Sequence, residues 1–188
     1  MSETKQLFKE LESINFPEGL MVKPDRQVSG IAFFPVGRGL IKEKDTTISN
    51  KQVMILGQDF DTENNMKKVY EAGEEDIKRN STWRNLLEFL KDVGIDSETC
   101  FFTNAFPAAR ANGNGEEKKQ KNTGRSPAFD SKEFVKDCQN FFQKQIKNQK
   151  PKLVVVLGIQ VAKFLSKFVE DKKWDSIKKF KDVDDVHA

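Results

Sequence analysis

Three short apolar runs, each leading to a glycine or an asparagine and separated by amphipathic helical patterns, predict an α/β fold. The expected architecture is a three-layer α/β/α sandwich around a short central parallel sheet. The runs are Val53-Met54-Ile55-Leu56, Cys100-Phe101-Phe102-Thr103 and Leu153-Val154-Val155-Val156-Leu157. None alternates apolar with polar residues, which is the pattern of strands covered by helices on both faces. In such sheets ligands sit outside the carboxyl ends of the strands, so Gly57, Gln58, Asp59 and Phe60 occupy the first place to look for chemistry.

The bulk numbers bound the rest. At 188 residues the chain is most economically one domain, 1–188, with residues 1–50 read as an N-terminal helix and an irregular arm. Net charge is +3, from 32 basic and 29 acidic residues, so any affinity for nucleic acid must come from local clusters. The two cysteines, Cys100 and Cys138, are far apart and not in a metal-like spacing, which argues against a disulfide framework, a zinc site or an iron–sulfur cluster. The first eleven residues lack the apolar core of a signal peptide, and no run is long enough for a membrane span. The default expectation is a soluble cytoplasmic protein.

The elements follow in order. Leu7, Phe8, Leu11 and Ile14 recur at helical spacing, predicting a helix from Glu3 to Ser13. Residues 19–48 read as an irregular arm with apolar bursts at 20–22 and 31–34; Arg38, between glycines, is an ordinary exposed turn or a phosphate contact. Residues 64–78 are polar and poorly periodic, predicting a loop or a loose helix. Ser81 or Thr82 is expected to cap the next helix, which carries Leu86, Leu87, Phe89, Leu90 and Val93 and stops at Gly94. Residues 111–125 read as a mobile surface loop whose Lys118, Lys119, Lys121 and Arg125 could brush a polyanion, though Glu116 and Glu117 offset part of that charge. Asp130 is expected to cap a long helix through Ile146, and residues 159–168 to form the helix after the third strand, with Phe168 inward. The remainder is charged, with Trp174, Ile177 and Phe180 at helical spacing.

Taken together, the three strand ends are Gly57-Gln58-Asp59-Phe60, the stretch Thr103-Asn104-Ala105-Phe106-Pro107-Ala108-Ala109-Arg110, and Leu157-Gly158-Ile159-Gln160-Val161-Ala162. In that order and spacing, over roughly residues 53–168, they resemble the uracil-DNA glycosylase superfamily. Its typical members end the first strand in Gly-Gln-Asp-Pro-Tyr and place an asparagine at the end of the second. The resemblance implies an enzyme of base-excision repair that flips uracil out of DNA and cleaves the bond between base and sugar, with uracil-containing DNA as partner and neither metal nor cofactor. Asp59 matches the carboxylate that orients water and stabilises an oxocarbenium-like transition state. Asn104 matches the asparagine whose amide reads the uracil edge, and Gly57, Gln58 and Asp61 line the same turn. An aromatic must stack on the base, with Phe60, Tyr70 and Phe106 as candidates, and Arg110 joins the basic residues offered to DNA.

The sequence also departs from the pattern. Phe60 replaces the family's proline. Asp61 stands where typical members have the tyrosine that blocks thymine's methyl group, and burial of two adjacent carboxylates would raise the pKa of one. Residues 172–188 contain no fourth strand and no His-Pro-Ser-type motif; His187 is the only histidine. The third strand would then be an edge too apolar to stand open. The expectation is a chain truncated before that strand, with the N-terminal arm or a partner subunit as the other ways of covering the edge. Two further readings stay open: an impaired family-fold module that binds nucleic acid or a base-like ligand, and an unrelated doubly wound domain for a phosphorylated ligand. The second lacks a phosphate-cradling glycine motif.

Overall fold

The computed structural model describes residues 3–26, 28, 30–33, 53–112 and 125–169. Its centre is a parallel sheet in which β2 (Val53–Gly57) lies between β3 (Cys100–Asn104) and β5 (Leu153–Val156). Val53 is aligned with both Cys100 and Leu153, and Gly57 with Asn104. A separate antiparallel pair joins β1 (Met21–Val22) to β4 (Ala109–Arg110).

Alternation along β2 divides the core. Met54 and Leu56 pack with Phe101 against helices α1 (Glu3–Glu12), α4 (Lys132–Gln149) and α5 (Ile159–Leu165). Ile55 packs with Phe102 against Phe33 and against Trp83, Leu86 and Leu90 of α3 (Ser81–Asp92). Helices therefore cover both faces, and the α/β class expected from the apolar runs is the one observed. The period of α1 works as read: Leu7 and Leu11 are fully buried, worth about 1.5–3 kcal/mol each in area removed from water.

Several local readings are corrected. Residues 63–72 form a regular helix, α2 (Glu63–Ala72), capped by the Thr62 side chain and followed by Gly73. Met66 of α2 is buried, while Val69 and Tyr70, three and four residues on, are partly buried against Val28 and Ala32. The cap of α3 is Asn80, whose side chain accepts from Thr82 N and Trp83 N, leaving Ser81 and Thr82 inside the first turn. The cap of α4 is Ser131, which accepts from Phe134 N; Asp130 instead closes a 3-10 turn, Pro127–Asp130. Helix α5 ends at Leu165 and continues as a 3-10 turn, leaving Phe168 36% exposed.

Among the described residues, β5 pairs only with β2, and Leu153 is half exposed. Among the described residues the third strand therefore stands at the edge position anticipated for it. The loop residues around Arg38, the candidates Lys118, Lys119 and Lys121, and the C-terminal segment with His187 lie outside the described residues.

Candidate active site

The turn after β2 is fastened to the chain after β3 by backbone hydrogen bonds. Ala105 N donates to Gly57 O (2.8 Å), Phe106 N to Gln58 O (2.8 Å), Phe60 N to Ala108 O (3.0 Å) and Arg110 N to Asp61 O (2.7 Å). The peptide groups of residues 57–61 are thereby tied to four positions of 105–110, which fixes the side chains between them. Gly57 is needed there for space. A Cβ on it would overlap Asn104 Oδ1 and come within 3.3 Å of the Phe33 ring, so the glycine lets the asparagine amide lie directly on the strand end.

Asp59 points inward, its side chain only 3% exposed. Oδ1 accepts from Asp61 N (3.1 Å), and the amide of Gln58 lies 3.5 Å from Oδ2. Arg110, itself 7% exposed, brings Nε to 3.4 Å of Asp59 Oδ2, an ionic contact rather than an aligned hydrogen bond. The same guanidinium donates from Nη2 to Asp61 Oδ1 at 3.0 Å. Burial pushes the Asp59 carboxyl above the usual carboxylate range, against the opposing pull of Arg110 and of a hydrogen bond from Ser126. The neighbouring carboxylate of Asp61 adds to the rise as the smallest cause. The shift expected from two adjacent carboxylates is present at Asp59, but desolvation dominates it.

Asp61 adopts a left-handed backbone, φ 65°, a conformation costing about 1 kcal/mol or more for a residue with a Cβ. Its carboxylate is held from two sides, by Arg110 and by Asn65 Nδ2 of α2 at 2.5 Å. The strain turns the chain from the strand end into α2 and lets Asp61 O meet Arg110 N.

These groups open on a cleft of about 910 Å³. Gly57, Gln58, Asp59, Phe60, Asp61 and Asn104 all line it. Asn104 is 3% exposed, and its Nδ2 has no hydrogen-bond partner among the described residues. A buried amide donor left open beside a cleft is a group suited to a ligand's carbonyl.

Other candidates are placed elsewhere. Phe106 is fully buried in the opposite half of the core, its ring centroid 4.8 Å from Phe129, 6.1 Å from Phe134 and 5.4 Å from Phe164; it does not line the cleft. Tyr70 turns away on α2, where its hydroxyl accepts from Asp25 N, Arg26 covers its ring, and burial pushes its pKa up to about 12. Arg110 is an internal counterion for Asp59 and Asp61, not an exposed contact for phosphate. Arg125 is exposed, paired with Asp130 at 2.6 Å, and outside the cleft lining.

The structure adds two residues absent from the sequence expectations. Phe33 reaches the cleft from the arm, its ring packed on Trp83 (4.8 Å) and edge-on to Phe102 (5.6 Å). Glu75, in the connection from α2 to α3, lines the same wall. The apolar burst at 31–34 was a signal for Phe33; nothing in the local sequence distinguishes Glu75 from its acidic neighbours Glu74 and Asp76.

A parallel sheet flanked by helices, with a buried carboxylate and an open amide donor at adjacent strand ends, defines an α/β protein whose polar groups gather beside a cleft at its strand ends. The sequence model of the Uracil DNA glycosylase superfamily matches residues 44–184. The chain belongs to that superfamily. A search of curated proteins returns no match.

Proposed function

We propose that the protein hydrolyses the N-glycosidic bond of a flipped uracil in DNA. The observation that carries this reading is the meeting in one cleft of Asp59 and Asn104, each buried and each at the end of a neighbouring strand. Asn104 Nδ2 donates to a carbonyl of the base. Gly57 admits the base close to the strand end, and Phe33 or Phe60 supplies the flat apolar wall.

Chemistry then falls to Asp59. As the bond between C1′ and the base breaks, its electron pair leaves with the base and positive charge grows on the sugar. The Asp59 carboxylate stabilises that charge and orients a water whose oxygen bonds to C1′, with the proton passing to the carboxylate. Arg110 favours the ionised form of Asp59 and so opposes part of the desolvation that raises its pKa. Ordering in advance matters here, because a carboxylate already fixed by Asp61 N and Arg110 needs little rearrangement as charge develops.

The same contacts favour a second reading. Both Asp59 oxygens have partners, so the chain could instead be a binding module in which the ion pair has silenced the carboxylate. Release of free uracil from a single-stranded uracil-containing oligonucleotide separates the two. The enzyme reading expects release that Asp59→Asn lowers by about two to three orders of magnitude. No release at high protein concentration, or release indifferent to Asp59→Asn, overturns it, and salt-dependent binding without release supports the module.

A further inference from the structure

We propose that Glu75 is a positioning residue whose carboxylate fixes Phe33 as the aromatic wall of the pocket beside Gly57 and Asn104. This role rests on the base-binding reading of the cleft. Glu75 Oε1 accepts from Phe33 N at 3.2 Å, while Oε2 accepts from Trp83 Nε1 at 2.7 Å and from Asn80 Nδ2 at 3.2 Å. One side chain therefore gathers the arm, the cap of α3 and the indole on which the Phe33 ring rests.

Backbone contacts run alongside. Glu75 N donates to Ile31 O (2.7 Å), and Gly30 N donates to Gly73 O (3.0 Å). Phe33 is not part of a named strand or helix, so its orientation depends on these cross-links and on ring packing rather than on a ladder of its own.

The choice of a carboxylate is specific to this task. Three donors converge on Glu75, and an ionised carboxylate is an acceptor at both oxygens. A glutamine offers one acceptor oxygen and sets its own NH2 against either Phe33 N–H or the indole N–H, leaving a buried donor unmet. Burial raises the Glu75 pKa, with Asp61 adding to the rise, while the hydrogen bonds from Trp83 and Phe33 oppose it. Keeping a charge at such a place is costly unless all its partners are held.

The test compares the wild type with Glu75→Gln, Phe33→Leu and the double variant, reading amide exchange by NMR and uracil-release kinetics. In Glu75→Gln, exchange at the Phe33 amide is expected to rise about tenfold or more while β2 amides keep their protection. KM for a single-stranded uracil oligonucleotide should rise about tenfold with kcat within about threefold, the mark of lost substrate binding. The double variant should be no worse than Phe33→Leu, because Glu75 acts through that ring. Unchanged exchange at Phe33, or effects on KM that multiply in the double variant, overturns the proposal. Glu75→Asp, which keeps the charge but shortens the reach, makes the same comparison with the same expected changes should Glu75→Gln fail to fold. If the wild type releases no uracil, the glycosylase reading falls by itself. The exchange measurement, together with equilibrium binding of the same oligonucleotide across the four proteins, then decides the role of Glu75.

Discussion

Phe33 and Phe106 are both buried phenylalanines beside the ends of β2 and β3, yet they belong to different halves of the molecule. Phe106 lies on the side of α4 and α5, ringed by Phe129, Phe134 and Phe164. Phe33 lies on the side of α3, one edge against Gly57 and the cleft, its backbone held by Glu75. The first half is built from ring against ring and supplies stability. The second exchanges part of that packing for carboxylates and amides held in place, because a surface meant to meet a ligand must keep one side open. Adjacency to a strand end therefore does not make a residue part of the site; the face of the sheet it falls on does.

The largest effect that separates the halves is expected from Phe106→Ala. Emptying a closed aromatic cluster should cost about 3–5 kcal/mol in urea unfolding, and any loss of base release should follow the unfolded fraction. A full-strength loss of activity in protein that remains folded would erase the distinction.

Asp59→Asn should behave in the opposite way, lowering base release steeply while leaving the fold intact. The sign of its stability effect follows from linkage. Because the folded pKa of Asp59 is raised, the folded state retains a proton that the unfolded chain releases above about pH 3.9. That contribution is present below the unfolded pKa and lost as pH rises through the folded one. The asparagine variant should thus be at least as stable as wild type at pH 7, with the difference shrinking toward pH 4. Urea midpoints at the two pH values check it, and a variant destabilised more at pH 7 than at pH 4 contradicts the assignment.

Arg110→Gln sharpens the contrast inside the polar half. Removing the cation leaves Asp59 without its main opposing influence, so the acidic limb of the pH–rate profile should move to higher pH. The accompanying loss of stability should be roughly 3 kcal/mol, moderated by proton uptake on Asp59. A limb that stays in place would show that Asp59 is not the group titrating in the reaction. The smallest effect belongs to Arg125→Ala. Its pair with Asp130 is exposed, its cation lies 5.4 Å from the Phe129 ring centroid, and it stands outside the cleft lining, so a change within about 0.5 kcal/mol is expected. A large fall in DNA affinity in that variant, read by anisotropy, would extend the binding surface beyond the cleft.

Long-range order in the sheet was legible because hydrophobic runs carry it. Val53–Leu56, Cys100–Thr103 and Leu153–Leu157 are apolar without alternation, and each became a strand of the parallel sheet. Helix α2 was less legible because its apolar stripe is short, Met66, Val69 and Tyr70 among polar residues, and it packs on Val28 and Ala32 of the distant arm; its Thr62 cap supports it too. The cap positions of α3 and α4 were displaced by one residue, because Asn80 and Ser131 compete locally with equally good cap residues and only the backbone decides between them.

By itself, the sequence determined the strand and helix alternation, the position of the turn at Gly57–Asp61, and the pairing of Asp59 with Asn104 as the residues at two strand ends. The alternation and the turn follow from local pattern and from the period of the chain, whereas the pairing of Asp59 with Asn104 rested on the resemblance to the superfamily's strand-end motifs. Tertiary structure alone decided what surrounds them: that Arg110 turns inward to Asp59 and Asp61, that Phe106 belongs to the core, and that Phe33 and Glu75 reach the cleft from distant segments. The reason is geometric. Which face of a sheet a side chain meets, and which charges are desolvated beside it, depend on contacts between residues dozens of positions apart, and no local pattern encodes them.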